Sequence, residues 1–347
     1  MTITMKTMKA SVLQRCGEPL VYKDVPVPEI GPGEVLVKNQ FCGICGTDLH
    51  IVEGWGYIPK LPFIQGHEPC GIVEAVGEDV SDFKPGDRVV TNNFYTCGKC
   101  FYCRTNRETQ CINLDGILGV LKHHGGFAQY FKIPARQLFH LPESIPFTEG
   151  AIISDAVVTC VHAAQQARLA PGEYVHIVSV GGMGGALIQI CKKYGAKVIV
   201  TVRSDQKKER AEQLGADYAI NINTHDAAQE IKAITSIGVA CAFDCVGNND
   251  TMTLSMDTLS NGGRLVVVGY SQQKYALDPR RIAVHELEII GSRCGGRQCT
   301  YEAIDFVADP TWKPLVTDIF DLEDANDALE CLRQGKTLGR IVLKIDQ

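Results

Sequence analysis

The sequence predicts an α/β fold in two parts, a doubly wound parallel sheet and a separate all-β, barrel-like lobe. Three observations carry this. Residues 11–90 run in short β-like stretches such as EVLVKNQFCGI, CGIVEAVGEDV and GDRVV, broken by Gly and Pro and uninterrupted by a long amphipathic helix. From Glu149 the pattern changes to GAIISDAVVTCVHAAQQARL, which has helical spacing. Alternating units then follow: YVHIVSV, a helix from Gly184 to Lys193, KVIVTV, a helix from Gln206 to Leu214, ACAFDCVG and RLVVVGY. Strands separated by helices indicate a parallel sheet. Finally, the stretch ending in GRIVLKI reads as a return to the first lobe. The expected division is 1–150 for the all-β lobe, 151–290 for the parallel-sheet domain and 291–347 for the return.

Composition narrows the function classes. A chain of 347 residues, 45% apolar, can build two hydrophobic cores. A net charge of −6 and the lack of a basic patch argue against a nucleic-acid partner. No window approaches the roughly 18 apolar residues of a membrane span. The opening MTITMKTMKASVLQRC lacks the apolar core of a signal peptide, so a cytoplasmic enzyme is expected. Irregular spacing in a long chain argues against a disulfide scaffold as the explanation for 15 cysteines. Cys160, Cys191, Cys241 and Cys331, in apolar or helical contexts, read as small buried hydrophobes.

Metal ligation explains part of the count. In CGKCFYCRTNRETQC, two residues separate Cys97, Cys100 and Cys103 in turn, and seven separate Cys103 from Cys111. Four thiolates close a tetrahedral zinc shell with no open position, and metal binding would supply the folding free energy of a loop with little to bury. An iron–sulfur cluster takes the same ligands, and a reduced cysteine-rich loop is the bland alternative.

HIVSVGGMGGALIQICKKYGAKVIVTV reads as strand, glycine turn, helix, strand. Ser179, Gly181, Gly182, Met183 and Gly184 form the turn, which would bring backbone and a helix N-terminus to a pyrophosphate. The match is imperfect, because G-x-G-x-x-G would place its first glycine at Ser179. A tight structural turn is the alternative. This context makes the parallel sheet Rossmann-type. An NAD(H) site offers an acid at the end of the second strand. Val202 and Arg203 stand there, and Arg203, Ser204 and Lys207 offer donors suited to a 2′-phosphate, favouring NADP(H) over NAD(H). An inward-turned Asp205 would weaken this, and Arg203 is equally compatible with stacking on adenine or with solvent.

Two further segments suggest a second metal. GICGTDLH carries Cys45, Thr47, Asp48 and His50, and IQGHEPCG carries His67 and Glu68. A Cys/His shell with an open position would let zinc act as a Lewis acid. Together with PGDRV, the four-cysteine loop, SVGGMGG and VTDIFDLEDANDAL…GRIVLKI, these segments resemble the zinc-containing medium-chain dehydrogenase/reductase family over nearly the whole chain. The resemblance implies a GroES-like β-barrel catalytic domain beside the Rossmann-type domain, and two zinc ions per subunit, one catalytic and one structural. It further implies Cys45, His67 and Asp155 as catalytic zinc ligands, with Glu68 beside the metal. Relatives often carry Cys at the position of Asp155; a carboxylate keeps the same formal charge. Capping the following helix is the other role open to Asp155.

By the same resemblance Thr47 touches the substrate oxygen and passes a proton through the cofactor ribose to His50, while Arg340 contacts the cofactor phosphate. A capping Thr47, a surface His50 and an Arg340 in a strand-edge salt bridge are the ordinary alternatives. Asp48 is placed to orient His67, as metal-bound histidines need such a partner. The expected reaction is reversible oxidation of a primary or secondary alcohol, or a polyol, to aldehyde or ketone. A double-bond reductase and a non-catalytic homologue are the competing readings. Trp55, Tyr57 and Phe94 are either pocket aromatics or core and loop residues, and Asn93 is placed to bond a polar substrate. The expected partners are a small-molecule alcohol or carbonyl and further copies of the chain, as a homotetramer or homodimer. Sheet pairing would use an edge around GGRLVVVGY and HELEIIGS.

Overall fold

The computed structural model describes residues 6–345. Met1 to Met5, part of the opening read above for a signal peptide, lie outside the described residues, as do Asp346 and Gln347. The chain divides into two units. Within the described residues the first takes everything up to Asp155, Gly296–Pro310 and everything from Val316; the second takes Ala156–Gly295 and Thr311–Leu315. No helix among the described residues is long and apolar enough to cross a membrane.

The first unit is built on a seven-stranded sheet. Its order is Leu138–His140, Arg88–Thr91, Glu68–Val76, Glu34–Ile44, Arg340–Lys344 and Val316–Asp321, with Tyr130–Pro134 also paired to Glu34–Ile44. Glu34–Ile44 alternates in burial along most of its length, as a strand with one covered face must. Val35, Val37, Val73, Val89, Phe131 and Ile133 form the centre of its core. The tail strand pairs antiparallel to the same long strand, Ile341 opposite Ile44 and Val342 opposite Gly43. That pairing brings the tail into one sheet with a strand from the first fifty residues. A second sheet of three strands sets Thr7–Leu13 between Val21–Pro26 and Phe63–Ile64.

The second unit is a six-stranded parallel sheet in the order Tyr218–Asn221, Lys197–Val202, Tyr174–Val178, Val239–Asp244, Leu259–Val267, Glu288–Gly291. The chain moves outward from Tyr174–Val178 in one direction, then crosses back to continue in the other. The strand order therefore reverses between Tyr174–Val178 and Val239–Asp244, the place where such sheets bind ligands beyond their carboxyl ends. Helices Gly182–Lys193, Asp205–Leu214, Ala227–Thr235 and Asn249–Thr258 connect the strands. Three have side-chain N-caps, from Ser204, Asp226 and Asn248.

Several expectations are adjusted. The first helix begins at Gly182, two residues early, because the glycines themselves form its first turn. Thr311–Leu315 joins the parallel-sheet unit instead of the returning tail, because Gln189 bonds Lys313 through both backbone groups at 3.0 and 2.7 Å. The RLVVV strand is not the sheet edge; Glu288–Gly291 lies outside it. Cys160, Cys191 and Cys241 are buried, but Cys331 is half-buried.

Candidate functional site

In the first unit the donor atoms of Cys45, His67, Glu68 and Asp155 all lie within 4.8 Å of one another. Adjacent strands explain most of this. Cys45 follows Glu34–Ile44 directly and caps the helix Gly46–Val52. Glu68 opens the neighbouring strand, opposite Gly43. A Cβ at Gly43 would sit 2.1 Å from the Glu68 carboxylate and displace it, so the glycine leaves that side chain its room. Asp155 comes from elsewhere, a π-helical turn spanning Ile153–Val157. Such a turn inserts an extra residue into the helical repeat and re-aims a side chain. Asp155 therefore does not cap the following helix; the turn aims it at Cys45 and His67.

The spacing suits a metal. Cys45 Sγ lies 3.4 Å from Asp155 Oδ2, and His67 Nε2 lies 3.7 Å from that oxygen and 3.8 Å from Glu68 Oε1. Zinc bonds of about 2.0–2.3 Å put tetrahedral ligands about 3.3–3.8 Å apart. Thiolate, imidazole and carboxylate are also the donor types zinc takes. Burial disfavours a charged His67, but the Asp48 and Asp155 carboxylates outweigh it and raise its pKa in the metal-free protein. Arg340 is buried against this cluster. Its guanidinium pairs with both Glu68 oxygens, through Nη2 and, at 3.2 Å, through Nε, and lies 3.4 Å from Asp155. This is the salt-bridge arrangement open to Arg340 from the sequence, with its partners set by the tail strand's register beside Ile44.

Asp48 is fully buried, with one oxygen accepting the Cys45 amide at 2.9 Å and the other 3.5 Å from His67 Nδ1. It is placed to orient the imidazole. Because Asp48 closes the helix start, the Thr47 hydroxyl has no capping duty there; it lies 3.8 Å from Cys45 Sγ. His50, at the last turn of this helix, packs against Trp55 with ring centroids 3.8 Å apart and the rings tilted by 34°. Burial lowers its pKa, so the ring is neutral near pH 7.

The four loop cysteines also bring their sulfurs within 4.8 Å of one another. Cys100 Sγ lies 3.5 Å from Cys103 and 3.9 Å from Cys111, and Cys97 lies 3.9 Å from Cys103. These separations again match a tetrahedral edge around zinc. Backbone amides of Lys99 and Cys100 point at Cys97 and bring its pKa down to about 6. Burial and neighbouring thiols push Cys103 up to about 12, so without a cation the cluster keeps protons that metal binding would displace.

In the second unit the glycine turn has the backbone its motif requires. Ser179 stands at the first glycine position and adopts φ +78°, the left-handed conformation that glycine takes at no cost. A Cβ at Gly184 would meet the Ser179 carbonyl oxygen at 2.0 Å, whereas one at Gly181 would meet nothing within 4 Å. Gly184 thus permits close packing of helix on strand, and Gly181 leaves open space over the turn. Met183 uses its carbonyl to accept from Cys160 at 3.2 Å. At the end of the next strand Val202 is buried and Arg203 exposed. Ser204 Oγ accepts the Lys207 amide. Lys207 is half-buried, its pKa lowered by burial and by Arg203. Asp205 accepts from Asn221 at 2.9 Å.

The remaining candidates divide. Phe94 is a core residue. Asn93 is buried and donates to the His67 carbonyl at 3.3 Å, so its amide supports the metal-bearing loop. Trp55 packs against His50, and Tyr57 is half-buried. What the sequence reading missed is the π-helical turn and the Arg340–Glu68 pair. Neither has a local signal, since the pair spans 272 positions.

Comparison with known proteins agrees with this geometry. Residues 31–143 match the alcohol dehydrogenase GroES-like domain model, and residues 182–309 match the zinc-binding dehydrogenase model. An alcohol dehydrogenase of Geobacillus stearothermophilus is 36% identical over 98% of this chain and 100% of that protein. A sorbitol dehydrogenase of Bacillus subtilis is 36% identical over 95% of both chains. The crystal structure of the alcohol dehydrogenase from Aeropyrum pernix superposes with a TM-score of 0.91 at 34% identity, covering 97% of this chain and 99% of that one.

Proposed function

The chain belongs to the zinc-containing alcohol dehydrogenase family of medium-chain dehydrogenase/reductases, and from that premise we propose that it reversibly oxidises an alcohol or polyol hydroxyl to a carbonyl. The hydride leaves the carbinol carbon for a nicotinamide dinucleotide, and the hydroxyl proton leaves through the protein. The convergence of Cys45, His67, Asp155 and Glu68 carries this reading. Cys45, His67 and Asp155 would hold a zinc ion, which would supply Lewis-acid stabilisation of the alcohol oxygen. Arg340 neutralises Glu68 and keeps that carboxylate beside the cluster. Asp48 fixes the imidazole of His67. The Thr47 hydroxyl takes up the substrate proton as it releases its own towards His50, and the neutral imidazole of His50 accepts that proton and hands it to water. Cys97, Cys100, Cys103 and Cys111 would hold a second zinc, and four thiolates would leave it a structural role.

The turn from Ser179 to Gly184 binds the dinucleotide. We read the cofactor as NADP(H) in preference to NAD(H). Support comes from Val202 and Arg203 standing where an NAD site places an acid, from Arg203 and Lys207 lying together beyond that strand end, and from Asp205 being engaged by Asn221. The half-buried edge strand Glu288–Gly291 supports a homodimer or homotetramer, which light scattering would size.

The test is a matched NAD(H)/NADP(H) assay over short secondary alcohols, benzylic alcohols, polyols and their carbonyls, with Asp155→Asn as control. The variant is expected to bind one zinc per chain where the parent binds two, and to lose at least about 1,000-fold in kcat/KM. Full activity with the Cys45–His67–Asp155 site emptied would overturn the reading.

A further inference from the structure

The three-stranded sheet of the first unit carries a cavity that the proposed chemistry does not use. In its register Met8 faces Val25, Ala10 faces Lys23, and Val12 faces both Val21 and Ile64. Directly opposed residues share a sheet face, so Met8, Val12, Lys23, Val25 and Ile64 present their side chains together. With Phe131 opposite, they line a cavity of about 380 Å³, within the roughly 300–1,000 Å³ of small-molecule sites. Neither the four clustered metal donors nor Thr47 or His50 line it.

Most polar groups at this cavity are engaged elsewhere: His123 lies 3.0 Å from Asp115, and the Tyr95 hydroxyl donates to the Lys132 carbonyl. Lys132 pairs with Glu34 at 2.9 Å, and Lys122 pairs with Asp115. Lys23, half-buried, makes no ion pair or hydrogen bond with another described residue. His124 Nδ1 accepts the Ile64 amide at 3.2 Å, which leaves the proton of the neutral ring on Nε2 as a donor. Burial lowers the His124 pKa and keeps the ring neutral. One uncommitted cation, with the His124 ring and the Tyr130 hydroxyl as neutral donors over an apolar floor, matches a single negative charge on an apolar body. A dianion would need a second free cation, and both other lysines are already paired.

We propose that this cavity binds a small amphipathic carboxylate, an aliphatic acid of medium chain length, with the carboxylate on Lys23 and His124 and the chain over Met8, Val12 and Phe131. The inference does not rest on the dehydrogenase reading. Octanoate, titrated calorimetrically into the zinc-loaded full-length protein, is the probe. One-to-one binding is expected, weakened about tenfold or more by Lys23→Glu, as loss of a charged hydrogen bond implies. Octanamide should bind about tenfold more weakly than octanoate for the same reason. Val12→Trp, which fills the cavity, should abolish binding, with its circular dichroism and alcohol oxidation reporting whether the fold is kept. Asp155→Asn should leave the affinity unchanged. Octanoate binding that survives Lys23→Glu but is lost in Asp155→Asn would place the acid at the metal cluster and overturn the proposal. No binding at millimolar octanoate, or equal affinity for octanamide, would overturn it as well.

Discussion

His176 offers a stability test whose size follows from the structure. It lies on Tyr174–Val178, the strand leading into the glycine turn, and is fully buried. Nδ1 is 3.0 Å from Thr258 Oγ1 and Nε2 is 2.9 Å from Thr201 Oγ1. Thr258 gives its own proton to the Ser255 carbonyl, so it accepts from His176 Nδ1–H, and Nε2 accepts from Thr201. Burial brings the ring's pKa down to about 3. In the unfolded chain a histidine has a pKa of about 6.5 and takes up a proton below it. The folded ring stays neutral down to about pH 3. Protonation therefore lowers the free energy of the unfolded state as the pH falls through 6.5, and stability is lost on acidification. From these two values the loss is about 2 kcal/mol between pH 7 and pH 5, approaching about 5 kcal/mol below pH 3. Urea unfolding of the parent and His176→Gln, each at pH 7 and pH 5, isolates the contribution. The parent should lose about 2 kcal/mol more than the variant over that interval. Equal losses, within about 0.5 kcal/mol, would show that the ring is not held neutral.

Other expectations follow from single contacts. Cys103→Ser should lower bound zinc by one per chain and open the 97–111 loop to limited proteolysis, because a three-thiolate shell loses its closed geometry. Gly184→Ala drives a Cβ into the Ser179 carbonyl; unfolding assays should register about 1–3 kcal/mol of overpacking, and cofactor fluorescence titration a weaker dinucleotide. Arg340→Met removes the cation from two carboxylates; metal-free protein should lose about 3–5 kcal/mol on urea unfolding, and zinc should restore part of it.

The fold class was legible because it depends on local patterns. The period-2 runs before residue 90 and the strand–helix alternation after Tyr174 are properties of neighbouring residues, and each element can be read without knowing what it packs against. The four-cysteine loop was legible for a similar reason: its ligands lie within fifteen consecutive positions, so the chain between them already limits their separation. The glycine turn was recognisable despite its missing glycine. Only the structure showed that Ser179 takes the left-handed conformation anyway, because φ depends on the turn as a whole.

The cluster around His67 belongs to the other category. Its donors come from positions 45, 67, 68 and 155, and its balancing cation from position 340. The sequence alone supplied residue types that could ligate a metal, and family resemblance supplied their grouping. Three things were decided by tertiary structure: the aim of Asp155 from a π-helical turn, the room Gly43 leaves for Glu68, and the pairing of Arg340 with carboxylates. A helical repeat with one residue too many looks, along the chain, like any other apolar helix. A buried arginine in a tail strand has no visible partner until the register with Glu34–Ile44 places it beside Glu68. Local backbone preferences are written in adjacent residues. The neutralisation of buried charge is settled only when distant strands pair, because water must leave before the carboxylates need the guanidinium.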